Sequence, residues 1–369
     1  MSVVSFSVDA SDGAARAGRV STPRGEFLTP AFMPVATRGT IRALATHELD
    51  QLAPPVVLAN TYHLMMRPGA EVVEALGGLH EFMGWQGHTL TDSGGFQVMS
   101  LKPKIFDDGV VFQSTYDGAY TRFTPADAMR VQMQLGADIA MALDVCPPLP
   151  SAAAVVDRAI RLTKDWARRC RDAHAHPTQA LFGIVQGGVD VDLRAQCAAD
   201  IATIGFDGHA IGGLSVGEPR SEMLPALDAA IAELPSQRPR YLMGVGDPIS
   251  LVEGIARGVD MFDCVLPTRL ARHGTALTHD GRVQLKNAAF RTATGPIDAG
   301  CGCVVCNRYS AGYVRHLLTV GEVSGGALLT IHNVAFLLDL VARARAAIAS
   351  GTLAALVADV RRVWDDGRG

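Results

Sequence analysis

The sequence predicts an α/β fold closed into a (β/α)8 TIM barrel, with a small zinc-binding subdomain inserted after the eighth strand. Three observations lead there. Eight short apolar runs recur along the chain, and helical patterns separate several of them. The last quarter carries Cys301-Gly302-Cys303-Val304-Val305-Cys306, with His332 26 residues beyond Cys306.

The runs are Phe32–Val35, Val56–Ala59, His88–Thr91, Ile139–Leu143, Leu181–Val185, His209–Leu214, Arg240–Gly244 and Val259–Val265. Most are predominantly apolar, as strands covered on both faces tend to be. Eight of them favour a closed barrel over a doubly wound sheet, although short apolar runs alone leave both open. Between them, Ala126–Leu135 opens on Thr124-Pro125, a capping residue and a first-turn proline. Ala152–Ala173, Val191–Ile204 and Glu218–Leu234 repeat the amphipathic form. Polar or glycine residues stand where the runs end: Asn60, Asp92, Asp144, Gln186, Gly213, Gly244 and Asp263. In a barrel these converge on the rim at the C-terminal ends of the strands.

From about Thr268 to Asn333 the rhythm breaks. Leu277–Leu285 reads as a hairpin around His279-Asp280-Gly281, the cysteine cluster follows, and Ser310–Thr319 and Leu328–Ser350 read as helices. The chain is therefore expected to be one catalytic domain over residues 1–369, with residues 268–333 a subdomain within it. A hydrophobic content of 48% against 19% charged residues supports a sizeable core and argues against disorder. The net charge of −4 announces no polyanion binder, yet Arg257 to His316 carries eight Arg or Lys against four Asp. That segment reads either as a local footprint for a polyanion or as solvated surface. No apolar run reaches the roughly 18 residues of a membrane span, and no basic leader precedes an apolar stretch. Outside the cluster, Cys146, Cys170, Cys197 and Cys264 are scattered, which suits a reducing cytoplasm.

Three thiolates and one imidazole match the soft, four-coordinate set that zinc accepts. Four protein ligands, Cys301, Cys303, Cys306 and His332, leave no open position, so the metal is expected to be structural, with His332 at a helix start. The chemistry then falls to carboxylates. Asp92 lies in Thr91-Asp92-Ser93-Gly94-Gly95-Phe96-Gln97, where two glycines let backbone N–H groups approach a ligand. A helix cap in a plain turn is the other reading. Asp263 interrupts an apolar strand, which is costly unless the carboxylate is paired or used. It reads either as bound to backbone N–H groups or as half of a nucleophile and acid/base pair. Alternation puts Asp263 and Val265 on one face and Phe262 and Cys264 on the other. Asp144 and Gln186 suit an amide-like heterocyclic edge, with backbone groups of Gly213 and Leu214 beside them. Phe96 and Met243 offer flat apolar faces for a ring, or are core. Cys146 reads as packing or pocket wall, because Pro147-Pro148 follow it and no histidine is placed to activate it. Arg269 and Arg272 are placed for phosphates, or are surface charge.

Seven segments in order carry a closer likeness. Phe32-Met33-Pro34-Val35, Asn60-Thr61-Tyr62-His63-Leu64, Asp92-Ser93-Gly94-Gly95-Phe96-Gln97, Gly183-Ile184-Val185-Gln186-Gly187-Gly188, Gly212-Gly213-Leu214-Ser215-Val216-Gly217-Glu218, Asp263-Cys264-Val265-Leu266-Pro267-Thr268-Arg269 and the Cys301–Cys306/His332 set resemble the bacterial tRNA-guanine transglycosylases, also called queuine tRNA-ribosyltransferases. The resemblance runs from about residue 5 to the C-terminus. It implies a barrel with one structural zinc per chain and no nucleotide cofactor. It implies exchange of the wobble guanine in the anticodon loop of tRNA for Asp, Asn, His and Tyr, with 7-aminomethyl-7-deazaguanine (preQ1) as the incoming base, in queuosine biosynthesis. By the same likeness Asp263 is the nucleophile on ribose C1′ and Asp92 the general acid/base. Asp144, Gln186 and Gly213 recognise the base, the Leu214 carbonyl meets its aminomethyl group, and Phe96 and Met243 stack on it, although other members carry Tyr at the first of these. Cys146 and Val216 follow the bacterial pattern, because a β-branched Val216 obstructs the cyclopentenediol of queuine. The resemblance further implies a cytoplasmic homodimer without membrane attachment. A zinc-dependent hydrolase and a noncatalytic tRNA-binding subunit are the competing readings. The first lacks a ligand set at the strand ends, and intact Asp92 and Asp263 weigh against the second.

Overall fold

The computed structural model describes residues 2–365; Met1 and residues 366–369 of the expected domain lie outside the described residues. Eight parallel strands close into a barrel. They are Ala31–Ala36, Val56–Ala59, His88–Thr91, Ile139–Met141, Ala180–Val185, Gly208–Ile211, Arg240–Leu242 and Met261–Cys264. The eighth pairs with the first, Asp263 opposite Met33 and Cys264 opposite Pro34. All eight expected runs are present. The sixth stops at Ile211 rather than Leu214, because Gly213 turns away with a φ of +66°.

Each strand is buried on both faces because its alternate residues enter two different cores. Met33, Val35, Leu58, Leu90, Phe182, Ile184, Tyr241 and Met261 fill the barrel interior. Phe32, Val57, Leu181, Val185, Leu242 and Phe262 pack outward beneath the helices. Each such side chain contributes about 1.5–3 kcal/mol by burial. Val265 does not extend the eighth strand: the strand ends at Cys264, and Val265 caps the helix Leu266–Arg272 with 44% exposure.

Two antiparallel sheets were not expected. Ser5–Asp12, Ala15–Thr22 and Gly25–Thr29 precede the barrel. Their Val20 and Phe27 join the interior core, and Arg24 and Thr22 reach Asp138 and His88 at the starts of strands. This sheet therefore closes the barrel's N-terminal end. Lys104–Phe106, Gly109–Gln113 and Tyr120–Phe123 form the second, between the third barrel strand and the helix Pro125–Leu135. The connections Gly13-Ala14, Pro23-Arg24 and Asp107-Asp108 have hairpin length, which was the readable signal. The first sheet's strands are rich in Ala, Arg, Ser and Gly, and those of the second are only three to five residues long and broken by Lys, Gln, Thr and Arg, so an apolar-run criterion passes over both.

The helix Pro125–Leu135 starts at a Thr124–Asp127 capping box, as its sequence suggests. Beyond the eighth strand come the hairpin Thr275–Thr278/Gly281–Gln284 and the helices Val304–Arg308 and Ala311–Val320. The long helix Val323–Ser350 begins five residues before the expected Leu328. The obstacle was Gly325-Gly326, which reads as a breaker. A Cβ at position 325 would sit 2.9 Å from both Leu317 Cβ and the Leu318 backbone nitrogen, so glycine serves close helix packing there. His332 accordingly lies in the body of this helix and not at its start. The same helix corrects a second expectation, for it is long and apolar enough to cross a membrane by length and composition. Here 61% of its most apolar 18-residue window is buried inside the protein.

Candidate active site

The alternation that fills the barrel also builds the site. Past the last interior residues Leu58, Leu90, Ile184, Tyr241 and Met261, the next inward positions are Asn60, Asp92, Gln186, Met243 and Asp263. They open into a cavity of about 860 Å³ at the C-terminal ends of the strands. All eight catalytic and base-binding candidates line it, as does Arg269. Arg272 does not, and neither does any of the four metal-ligand candidates. Phe96 stands at the mouth, 58% exposed, on the helix Gly95–Ser100.

Asp92 is tied down by its neighbours. The backbone N–H groups of Thr61 and Gly94 donate to Oδ1 at 2.9 and 3.1 Å, and the Asn60 amide donates to Oδ2. Burial nevertheless pushes its pKa up to about 7, and the charges of Asp263 and Asp144 add to the rise. Asp263 takes both of its donors on Oδ1, from Tyr241 OH at 2.6 Å and Gly244 N–H at 2.7 Å. Its Oδ2 receives no donor among the described residues. Burial raises the Asp263 pKa, and the Tyr241 and Gly244 donors oppose that rise. The two carboxylates thus meet different surroundings within one cavity.

Asp144 departs from the inward register, three residues beyond Met141 and not two. Ser93 Oγ donates to its Oδ1 at 3.0 Å and Gln186 Nε2 to its Oδ2 at 2.6 Å. Gly95 permits this approach, because a Cβ there would lie 2.9 Å from Asp144 oxygens. Burial raises the Asp144 pKa. The Gln186 Oε1 is buried without a partner. A side chain at Gly213 would collide with that oxygen, so the glycine is required for the pair to coexist. The Ser215 and Val216 N–H groups donate to the Glu218 carboxylate. Because a trans peptide sets C=O opposite N–H, the Leu214 carbonyl faces away from Glu218. Burial pushes the Cys146 and Cys264 thiols up to about 12, so neither is a ready nucleophile.

Several site residues escaped the sequence reading. Tyr241 is an ordinary strand aromatic by sequence, and only the fold brings its hydroxyl to Asp263. Asn60 stood at a strand end, yet its role as a donor to Asp92 depends on the third dimension. Arg282 comes from the hairpin to the same cavity. His63 lines the cavity and its Nδ1 meets Tyr116 OH at 2.8 Å, while Arg38 and Arg67 lie 5.6 and 5.2 Å from the Tyr116 ring. Tyr116 belongs to the unexpected second sheet's connection, so no strand-end rule reaches it.

The cysteine cluster passes the test for a metal. The ligand atoms of Cys301, Cys303, Cys306 and His332 all lie within 4.8 Å of one another. Zinc–sulfur bonds near 2.3 Å set tetrahedral sulfurs about 3.8 Å apart. His332 Nδ1 is 3.6 Å from Cys303 Sγ and 3.3 Å from Cys306 Sγ, while its Nε2 donates to the Leu277 carbonyl at 2.8 Å. That second bond fixes the tautomer that leaves Nδ1 free to ligate. Next to it, Asn333 accepts from Leu277 N–H and donates to the carbonyls of Pro267 and Thr275. The four residues therefore form a metal-binding site of the structural-zinc type. A zinc there would tie the long helix to the Cys301–Cys306 segment, while hydrogen bonds from His332 and Asn333 hold the same helix to the hairpin and to Pro267 in the helix that follows Asp263.

Known proteins match this chain over nearly its whole length. Residues 11–366 match the family model described as queuine tRNA-ribosyltransferase. A queuine tRNA-ribosyltransferase of Halothermothrix orenii is 50% identical over 341 residues, 92% of this chain and 91% of that protein. One of Solidesulfovibrio magneticus is 48% identical over 366 residues, 98% of each. One of Novosphingobium aromaticivorans is 49% identical over 370 residues, 98% of this chain and 99% of its own. With a closed barrel, two carboxylates in one cavity at its rim and a Cys3His site beside it, this chain belongs to the queuine tRNA-ribosyltransferase family.

Proposed function

We propose that the chain exchanges the wobble guanine of tRNA for Asp, Asn, His and Tyr for 7-aminomethyl-7-deazaguanine, by two displacements at one ribose carbon. The observation that carries this reading is the pairing of Asp263, free at Oδ2, with Asp92, poised near neutral pH, in one cavity.

In the first displacement Asp263 Oδ2 attacks C1′ and the C1′–N9 bond breaks, its electron pair leaving on guanine. Neutral Asp92 supplies the proton that guanine takes up. In the second, ionised Asp92 removes the N9 proton of the incoming base. Its N9 then attacks C1′ and expels the Asp263 carboxylate. One proton is given and one regained, and one glycosidic bond replaces another, so no ATP is needed. A pKa of about 7 suits a group that must act as both acid and base in one cycle. Ionised Asp263 is the better nucleophile, and the Tyr241 and Gly244 donors favour that state. The target base sits in a loop, where splaying it out costs little.

In this reading Asp144 accepts from the N1–H and 2-amino edge of the base. Gln186 and the Gly213 N–H donate to its 6-oxo group, and the Leu214 carbonyl meets the aminomethyl group. Phe96 and Met243 cover the ring faces. Val216 restricts room beside that group and favours the small bacterial base. Arg269 and Arg272 hold flanking phosphates. The zinc, bound by Cys301, Cys303, Cys306 and His332, supplies structure and no chemistry. The catalytic unit spans the chain, with residues 268–333 as its metal-bearing subdomain. It acts as a homodimer in the cytoplasm, without membrane attachment.

The test is incubation of the protein alone with labelled guanine and unmodified tRNA. Incorporation is expected, together with a covalent protein–RNA adduct that Asp263→Ala does not form. Full-rate exchange by Asp263→Ala would sink the assignment. Absence of incorporation by the unmodified protein would favour the noncatalytic subunit.

A further inference from the structure

Arg194 is a fully buried cation for which no carboxylate partner exists among the described residues. It sits in the first turn of the helix Val191–Ala202, behind the cavity wall. Its donors go only to backbone carbonyls. Nε donates to Gly188 at 2.8 Å, Nη1 to Val185 at 3.1 Å and Gly212 at 2.7 Å, and Nη2 to Gly213 at 3.1 Å. Burying a guanidinium is expensive, and an apolar side chain would fill the space without that cost. What an apolar side chain cannot do is hold four carbonyls from two different strand ends in fixed directions. The rigid fork of arginine can, and the single ammonium of lysine cannot.

The direction matters because peptides are planar and trans. With the Gly212 carbonyl turned to Arg194, the N–H of the same peptide, that of Gly213, faces the opposite way. Gly212 and Gly213 both line the cavity, and the Gly213 N–H finds no acceptor among the described residues. Val185, held by the same nitrogen as Gly212, immediately precedes Gln186. We infer that Arg194 is a positioning residue for base specificity: by fixing the Gly212 and Gly213 carbonyls it aims the Gly213 N–H into the cavity as a donor to a purine 6-oxo group. It sets Gln186 in register for the same oxygen by holding the peptide before it. The inference rests on the reading of Asp144, Gln186 and Gly213 as the base-recognition set.

The consequence is selective. Guanine and 2-aminopurine share the ring system and 2-amino group, while 2-aminopurine lacks both the N1–H that meets Asp144 and the 6-oxo acceptor. Arg194 variants alter only the donors to the second, so the change in each purine's affinity between parent and variant is compared. Dissociation constants for both are measured with the unmodified protein, Arg194→Lys and Arg194→Met. Loss of an aimed donor should weaken guanine about 10- to 100-fold, while 2-aminopurine changes less than about twofold. In exchange assays KM for guanine should rise while KM for tRNA holds. A merely structural role would move both purines together or neither. An unchanged guanine to 2-aminopurine ratio in a folded Arg194→Lys protein would overturn the inference. Should both variants fail to fold, amide exchange on the unmodified protein decides. Guanine should slow exchange at Gly213 and 2-aminopurine should not; equal protection by the two would overturn the inference. Asp144→Asn separates the two levels of the argument. If it leaves guanine affinity intact, the pocket reading fails. If it weakens guanine while Arg194 variants keep the ratio, only the role of Arg194 fails.

Discussion

Asp92→Asn should make the protein more stable than the parent as pH rises, and the size of the effect follows from the site. The Asp92 pKa stands at about 7 in the folded chain against an ordinary 3.8. The folded state therefore holds the proton to higher pH than the unfolded state does. By linkage, stability falls as pH rises from about 3.8 and stops falling above about 7. At about 1.4 kcal/mol per unit, the stretch from roughly pH 5.5 to the folded pKa corresponds to about 2 kcal/mol. Asparagine cannot ionise and escapes this loss. It retains an oxygen for the Thr61 and Gly94 N–H groups but turns an amide toward Asn60, a cost that does not depend on pH. The difference between the two proteins isolates the titration. Guanidinium chloride unfolding of parent and Asp92→Asn, in steps from about pH 5.5 to 8.5, should show the variant gaining about 2 kcal/mol relative to the parent. A flat difference curve, or one of opposite slope, would refute the argument. The same group should appear in kcat/KM for the free base as a limb near pH 7 that Asp92→Asn abolishes.

Other outcomes follow from the same geometry. Tyr241→Phe deletes a donor to Asp263 without opening the barrel core. It should raise the Asp263 pKa, shift the acid limb of kcat/KM to higher pH and lower the rate about 10- to 100-fold; an unchanged profile would show that the hydroxyl is idle. Metal removal by a chelator should release the His332 helix from the Cys301–Cys306 segment and weaken tRNA binding. If the released ligation is worth about 5 kcal/mol, Tm should fall by roughly 10 °C; a stripped protein with its original Tm and tRNA affinity would contradict this. Cys146 and Cys264, held up to about 12 by burial, should resist alkylation at pH 8 in the native state and react only on unfolding. Rapid native labelling of either would show that the cavity opens more than its geometry implies.

The barrel was readable because its strands are apolar on both faces, a pattern that few other structures demand. The two antiparallel sheets were not, since the first pairs Ala, Arg, Ser and Gly without an apolar run and the second is built from strands of only three to five residues. Asp92, Asp263 and Gln186 were legible for one shared reason. A carboxylate or amide in or directly after an apolar strand is drawn out of water, so its side chain must find polar partners. Tyr241 and Arg194 were hidden for the converse reason. Tyrosine in a barrel strand and arginine in an amphipathic helix both have ordinary readings. Only their partners, the Asp263 carboxylate and four carbonyls, distinguish them. His332 does gather with the three cysteines but was misplaced along its helix, because Gly325-Gly326 resembles a helix stop whereas Gly325 serves the close packing of two helices.

The position of the metal site relative to the carboxylates has a mechanistic implication. A zinc at the cavity would lower the pKa of any bound water and hold nearby carboxylates ionised. In the proposed cycle Asp92 must instead alternate between neutral and charged forms, and burial beside Asp263 and Asp144 raises its pKa to about 7, a rise that a metal ion against the carboxylate would oppose. The barrel resolves this by keeping every metal ligand outside the cavity. The link between the two sites is mechanical: His332 and Asn333 are consecutive on one helix, and Asn333 donates to Pro267, four residues after the nucleophile candidate. Arg194 follows the same rule, for its charge is taken up by the four carbonyls behind the cavity wall and only peptide orientation reaches the base. In both places a strong charge is placed where it can fix geometry without fixing the protonation of Asp92.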